Sequence, residues 1–250
     1  MKITDNIDSW QEDKDRLILY ADIMGFKDTI FSTSHNDLKK RLIKFRQSFE
    51  NKIKPLRDGD YIRFVQFSDS IIIVVNGTDS KMVNLVTKAG IILMHEALKL
   101  KFPIKGVISQ GRFTYDERNE LYFGRPLVNA ALLHDDLYYY GIAVHHSAEN
   151  IIKKNITIDC PYSNSSINLK KGKTSHYHLL WNMISINLTP GDITSKALLW
   201  LENIQETVSG SPRIYIDNTI TILEQDSKTF YNSVLIKEKF NTTAGYISNK

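Results

Sequence analysis

One cysteine, Cys160, is all the thiol this 250-residue chain carries. A lone cysteine excludes an intramolecular disulfide, so a reducing cytoplasm is the expected home. No activating neighbour stands beside it, and no thiol mechanism is expected. No apolar run approaches the length needed to span a bilayer, and Met1 to Asp5 are polar, without the apolar stretch of a secretory leader. No membrane partner is therefore expected. Blocks of lysine and arginine are also missing. The net charge of +4 and the pI near 8.9 suit a small anionic ligand and leave no footprint for nucleic acid. There is no Gly-x-x-x-x-Gly-Lys phosphate loop, no dinucleotide-binding glycine pattern and no nucleophile elbow, which sets those chemistries aside. Internal repeats and low-complexity tracts are absent too.

What is present is an ordinary globular composition, 42% hydrophobic and 24% charged, long enough to bury a sizeable core without staples. Leu17 to Ala21 is a short apolar run of the kind that forms a buried central strand. Asp22 ends it, and Gly25 supplies a turn. From about Lys27 to Lys52, Leu38, Leu42, Phe45 and Phe49 recur at helical spacing, and Pro55 with Asp58-Gly59-Asp60 stops the helix. Tyr61 to Phe67 and Ile71 to Val75 read as a hairpin around Ser68-Asp69-Ser70. A helix from about Ser80 to Leu100, a strand from Ile104 to Phe113, a helix from about Pro126 to Tyr138 and a strand at Gly141 to Val144 follow. The order β-α-β-β-α-β plus further α and β predicts an α+β fold of the ferredoxin-like plan, with helices on one face of an antiparallel-rich sheet. Residues 160–175 read as a polar loop, Tyr177 to Trp181 as a strand, Ile193 to Val208 as an amphipathic helix and Phe230 to Ile236 as another. Residues 1–150 are expected to form the core. Residues 151–250 are expected to be a C-terminal α/β extension packing on the core or on a second subunit.

Two aspartates stand out. Asp22 closes the first strand and Asp69 tips the hairpin, and in a ferredoxin-like sheet those strands are neighbours. An aspartate at a strand end is commonly a turn or cap residue. Two of them converging would suit a pair of divalent cations over a phosphoryl group, because Mg²⁺ is held by one or two carboxylates plus substrate phosphates. Backbone amides from Ile23 through Gly25 to Phe26, opening a helix, could take phosphate oxygens.

Four segments, in order, resemble the class III nucleotidyl cyclases. Ala21-Asp22-Ile23-Met24-Gly25-Phe26 looks like their first metal-binding motif, and Gln66-Phe67-Ser68-Asp69-Ser70-Ile71 like the hairpin carrying the second metal aspartate. Ile108-Ser109-Gln110-Gly111 is similar to the Ile-His-Thr-Gly strand. Tyr122-Phe123-Gly124-Arg125-Pro126-Leu127-Val128-Asn129-Ala130-Ala131 is similar to the Phe-Gly-x-x-Val-Asn-x-Ala helix start. The resemblance covers about residues 16–145. It implies a class III cyclase core acting on a nucleoside triphosphate, with two Mg²⁺ or Mn²⁺ ions held by Asp22, Asp69 and the main chain of Ile23. It further implies ribose held by Asn129, and a homodimer whose pockets draw on both subunits.

Three departures narrow the resemblance. The family's transition-state arginine, one turn after the asparagine, is Leu133 here. The adenine-selecting aspartate is Tyr122, and the base-reading lysine is Val65. A tyrosine can stack on a base but cannot accept from the adenine amino group as a carboxylate does. With Asp-Ile-Met-Gly-Phe and Phe-Ser-Asp-Ser, this pattern looks like the Pycsar pyrimidine cyclases of bacterial antiphage defence. That resemblance implies a cyclic pyrimidine monophosphate, from UTP in preference to CTP, that activates a separate cyclic-nucleotide-sensing effector. A purine cyclase and an inactive nucleotide-binding module of the same fold are the alternatives. Arg125, Arg112 and Arg63 are the candidates to stabilise phosphate charge.

Other constellations read as bland. His176-Tyr177-His178 puts two imidazoles on one side of a strand but lacks a third metal ligand. His145-His146 reads as packing or surface, and His134-Asp135-Asp136 as a solvated helix face. Tyr138-Tyr139-Tyr140 is either interface surface or a helix end.

Overall fold

The first strand carries alternating environments, and the whole architecture follows from that alternation. The computed structural model describes Trp10 and residues 13–247, with 232–247 as backbone only. Met1 to Asp5, where a leader stretch is not expected, lie outside the described residues. In β1 (Lys14–Ile23), Leu17, Leu19, Ala21 and Ile23 point into one apolar cluster, while Ile18 belongs to a second on the opposite face. β1 therefore sits mid-sheet with both faces covered.

A single eight-stranded sheet has the order β2-β3-β1-β4-β6-β8-β7, with β5 paired to β4. Its strands are β2 (Ile62–Phe67), β3 (Ser70–Val75), β4 (Ile104–Asp116), β5 (Leu121–Gly124), β6 (Gly141–Val144), β7 (Tyr162–Leu169) and β8 (Gly172–Leu179). All pairings are antiparallel except β4 with β6. The β2-β3-β1-β4 portion is the ferredoxin-like core, and the α+β class expected from the sequence is the class observed.

The helices are α1 (Phe26–Ser32), α2 (His35–Ile53), α3 (Ser80–Lys99), α4 (Arg125–Asp136), α5 (His146–Lys154), α6 (Thr194–Gln205) and α7 (Ser211–Ile247). α2 and α3 bury Phe45, Phe49, Val86 and Leu93 against the odd-numbered side chains of β1. α4 instead lies on the other face, where Ala130 joins Ile18, Val74 and Val107. The expectation of helices on one face is thus corrected: Pro126, Ala130 and His134 form a buried stripe at helical spacing that seats α4 opposite α3.

Several boundaries differ from the sequence reading. The helix expected over 27–52 is two, broken where the Ser34 hydroxyl accepts from the Asp37 amide and caps α2. Residues 160–175 are not a loop. β7 and β8 form a hairpin, and β8 joins the sheet through Ala143 and His178. Exposed Asn164 and Ser166 alternate with more buried positions, so polarity concealed a two-residue period. His134 is buried rather than solvated, because it lies on the α4 stripe that meets Tyr20. α5 is capped by His145, and α7 runs as one helix through the segment expected at 230–236.

Candidate active site

Asp22 is the penultimate residue of β1 and shares a face with Ile18 and Tyr20. The turn between β2 and β3 carries Asp69, with Ser68 in the left-handed region at φ 56°. Pairing of Asp22 with Ser70 brings that turn beside the end of β1, and the Ile23 amide donates to the Asp69 carbonyl at 3.1 Å. The two carboxylates therefore converge at one end of the sheet. Burial pushes Asp22 up to about 6, and the nearby Asp69 charge adds to the rise. Ser70 Oγ opposes it by donating to Asp22 Oδ1 at 2.9 Å, and Tyr20 Oη lies 3.4 Å from the same hydroxyl.

Gly25 takes φ 68° at the entrance to α1, a conformation glycine adopts at little cost. The amides of Ile23 and Met24 are taken by the carbonyls of Asp69 and Pro103. Those of Gly25 and Phe26 are therefore the ones open to a phosphate oxygen, while the Phe26 ring is buried in the core.

A residue the sequence reading missed completes this end of the sheet. Lys105 on β4 is directly opposite Asp22 and only 2% exposed. Its Nζ donates to the Leu137 carbonyl at 3.3 Å and to Tyr215 Oη at 3.4 Å. Burial pulls its pKa down to about 8, with Lys170 acting in the same direction. Asp135, Asp22 and Asp136 pull it back up. The signal was available: Lys105 is the one charge inside the apolar run Ile104 to Ile108.

The remaining candidates lie elsewhere in the chain. Register pairs Phe113 with both Lys14 and Gly124, so β5 and the start of α4 stand at the opposite end of β1 from Asp22, roughly 25 Å away at a strand's rise per residue. Tyr122 and Arg125 belong to that end, with the Tyr122 ring 4.9 Å from that of Tyr115, while α4 runs back along the sheet, the Pro126 carbonyl accepting from Ser109 opposite Ile18 and His134 meeting Tyr20, so that Asn129 lies part-way toward Asp22. Arg112 is exposed and faces Asp15 in the ladder. Arg63 is held by an ion pair with Asp60 and packs over Trp10 at 4.9 Å. Among the described residues no hydrogen bond or ion pair joins Asn129 or these arginines to Asp22 or Asp69. Leu121 and Phe123 on β5 and Val128 and Leu132 on α4 are exposed.

The donor set fits hard divalent cations, which one or two carboxylates such as Asp22 and Asp69 and a main-chain carbonyl at Ile23 would hold together with phosphate oxygens of a ligand. Among the described residues no cluster of three or more His, Cys, Asp or Glu could hold a metal without such help. His176 bonds Glu149 and His178 bonds Asp226, so the paired imidazoles of β8 are structural. No helix among the described residues is long and apolar enough to cross a membrane.

No family model matches this sequence, and no curated protein is significantly similar to it. Solved structures are. The adenylyl cyclase CyaB from P. aeruginosa superposes with a TM-score of 0.52 at 16% identity, covering 67% of this chain and 94% of that one. A bacterial light-regulated adenylyl cyclase does so with a TM-score of 0.50 at 13% identity, covering 79% of this chain and 100% of its own. At these identities the shared property is the fold, which is the class III cyclase fold.

Proposed function

We propose that this chain is a nucleotidyl cyclase that closes a nucleoside triphosphate into its 3′,5′-cyclic monophosphate, releasing pyrophosphate. The observation that carries the reading is the convergence of Asp22 and Asp69 at one end of a class III cyclase sheet, with the Ile23 main chain between them. Asp22, Asp69 and the Ile23 carbonyl would hold two Mg²⁺ or Mn²⁺ ions. Bound there, such ions neutralise triphosphate charge and lower the pKa of the ribose 3′-hydroxyl. Lys105 supplies a fixed cation across the ladder from Asp22, and the Gly25 and Phe26 amides offer donors to phosphate oxygens. Ser70 holds the Asp22 carboxylate in one orientation through its hydrogen bond.

The partner is a second copy of the chain. Arg125 stands most of a strand's length from Asp22 within one chain, and no hydrogen bond joins Asn129 to either aspartate. A two-fold axis that antiparallelises the two sheets would carry the partner's α4 start over Asp22, and the exposed apolar side chains around α4 would then be covered. Asn129 would orient the ribose and Arg125 would meet the phosphate. On this reading residues 1–150 carry the catalytic core, and 151–250 extend its sheet through β7 and β8 and pack α6 and α7 against it.

The base proposed is a pyrimidine, UTP before CTP. Val65 and Tyr122, at the two base-reading positions, offer neither a carboxylate for the adenine amino group nor a lysine. The cyclic product would act in the cytoplasm as a messenger to a separate effector in antiphage signalling. A purine substrate is the competing reading, supported by the adenylyl cyclases that share the fold. One experiment tests both. Purified protein is incubated with each of the four ribonucleoside triphosphates and Mn²⁺, and products are separated by mass. Cyclic UMP or CMP supports the proposal, cyclic AMP or GMP moves it to the purine reading, and no cyclic product from any of the four removes it.

A further inference from the structure

Tyr20, Ser70 and Asp22 share one face of the sheet because the ladder holds them in register. Ser70 on β3 lies opposite Asp22 on β1, and Tyr20 lies two residues back along β1, opposite Ile72 and Val107. A serine hydroxyl has one proton to give. Here it goes to Asp22 Oδ1 at 2.9 Å. The 3.4 Å contact between Ser70 Oγ and Tyr20 Oη then runs the other way, with the phenol donating. The chain of donors is therefore Tyr20 to Ser70 to Asp22 whenever the carboxylate is ionised. Its first step is long and its second is of ordinary length.

The phenol is itself held in place. Tyr20 is half-buried beside Val107, and the His134 imidazole meets its ring edge-on at 5.1 Å between centroids. Both hydroxyls stand on strands rather than loops, so the ladder fixes their positions. The Asp22 carboxylate is left lopsided. Oδ1 carries the Ser70 proton, and Oδ2 has no hydrogen-bond partner among the described residues. A cation that takes both oxygens together has to displace that proton. A cation that takes one does not. Mg²⁺ demands a near-ideal octahedron of close donors, whereas the larger Ca²⁺ takes more oxygens and commonly both of one carboxylate.

We infer that Ser70 and Tyr20 are positioning residues that present Asp22 to a metal through one oxygen and so favour Mg²⁺ or Mn²⁺ over Ca²⁺. The inference rests on the reading of Asp22 as a metal ligand and adds to it a source of ion selectivity.

The test is Mn²⁺ binding to the full chain, read from the electron paramagnetic resonance signal of the free ion, with Ca²⁺ as the displacing ion. Melting temperatures verify that each variant folds. Ser70→Ala should weaken Mn²⁺ binding at least about tenfold, as loss of an outer-shell partner does. Ca²⁺ binding should fall by less, because the freed Oδ1 is open to it. Ser70→Thr keeps the hydroxyl and should restore the wild-type ratio of the two affinities. Tyr20→Phe keeps the ring and removes only the donor, so it should move the ratio in the same direction as Ser70→Ala by a smaller amount. A ratio unchanged in Ser70→Ala, including loss of both ions in equal proportion, overturns the inference. Mn²⁺ binding retained in Asp22→Asn places the ion elsewhere and overturns it too. The readout needs no turnover. Discrimination that depends on Ser70, in a protein that makes no cyclic product, removes the cyclase reading alone. Cyclic product from a protein whose discrimination is indifferent to Ser70 removes this inference alone.

Discussion

Asp22 and Lys105 face each other across the central β1–β4 ladder, one carboxylate and one ammonium on the same face, yet they form no direct ion pair. Lys105 turns to the Leu137 carbonyl and Tyr215 Oη, and Asp22 turns to Ser70. Each charge is satisfied by neutral groups. Their attraction is left available to a third party, which is what a phosphate–metal site requires.

Without metal, that arrangement costs stability. The Asp22 carboxyl titrates at about 6 in the fold against 3.8 as its ordinary value. The native state therefore binds this proton more tightly than the unfolded chain, and the penalty for ionising Asp22 grows as pH rises from about 4 to 6 and is complete above that. Asp22→Asn removes it. In EDTA at pH 7.5 the variant should melt a few degrees above wild type, since solvent screening of this half-buried group leaves about 1 kcal/mol. The gap should close as pH is lowered toward 4. Added Mn²⁺ should raise only the wild-type curve. A variant melting below wild type at every pH would contradict the assignment.

Lys105→Met keeps the length of the side chain and removes its charge. A charge-assisted contact to phosphate is worth roughly 1.5–3 kcal/mol, so KM for the triphosphate should rise at least about tenfold. The melting temperature should hold or increase, because burying an ammonium is costly. Steady-state product assays with the variant check this. An unchanged KM would place Lys105 outside substrate contact.

A different buried pair ties the C-terminal helix to the sheet. His178 Nε2 on β8 lies 2.7 Å from Asp226 Oδ1 on α7, and both are nearly inaccessible. Asp226→Ala leaves a buried imidazole without its partner and should cost about 3–5 kcal/mol, read as a lower denaturation midpoint. His178→Leu/Asp226→Leu, apolar on both sides, should recover much of that loss. Neither change should alter the metal concentration needed for half-maximal activity.

The parts of the fold legible from the sequence were those with one dominant period. β1, the β2–β3 hairpin, α3 and β4 each carry continuous apolar signals, and the Asp79 side chain caps α3 by accepting from the Met82 amide. The β7–β8 hairpin was illegible because Ser and Asn fill exposed positions of β7 and its buried residues include polar Ser163, Asn168 and His178. The α2 boundary was hidden because Ser34 interrupts a polar stretch without disturbing the apolar spacing. Asp22 and Asp69 could be picked out as strand-end acids. Lys105 required the β1–β4 register, since only pairing shows that it meets Asp22. The separation of Asn129 from the aspartates was equally invisible, because sequence order says nothing of which end of a sheet a helix begins at.

That separation yields the sharpest prediction. If each site takes its aspartates from one protomer and Asn129 from its two-fold partner, Asp22→Asn and Asn129→Ala are each inactive alone, yet a mixed dimer holds one site with both residues intact. The other site of that dimer carries both lesions. Random exchange of equal amounts makes half the dimers mixed, so the mixture should regain about a quarter of wild-type cyclase activity. If instead Asp22 and Asn129 serve the same site within one protomer, every site in every dimer is defective and mixing restores nothing. Phe123→Asp, which charges the exposed apolar surface beside α4, should prevent the recovery by blocking assembly, with the protein eluting as a monomer on size exclusion. Activity in the mixture that persists with this monomeric variant would rule out a shared site.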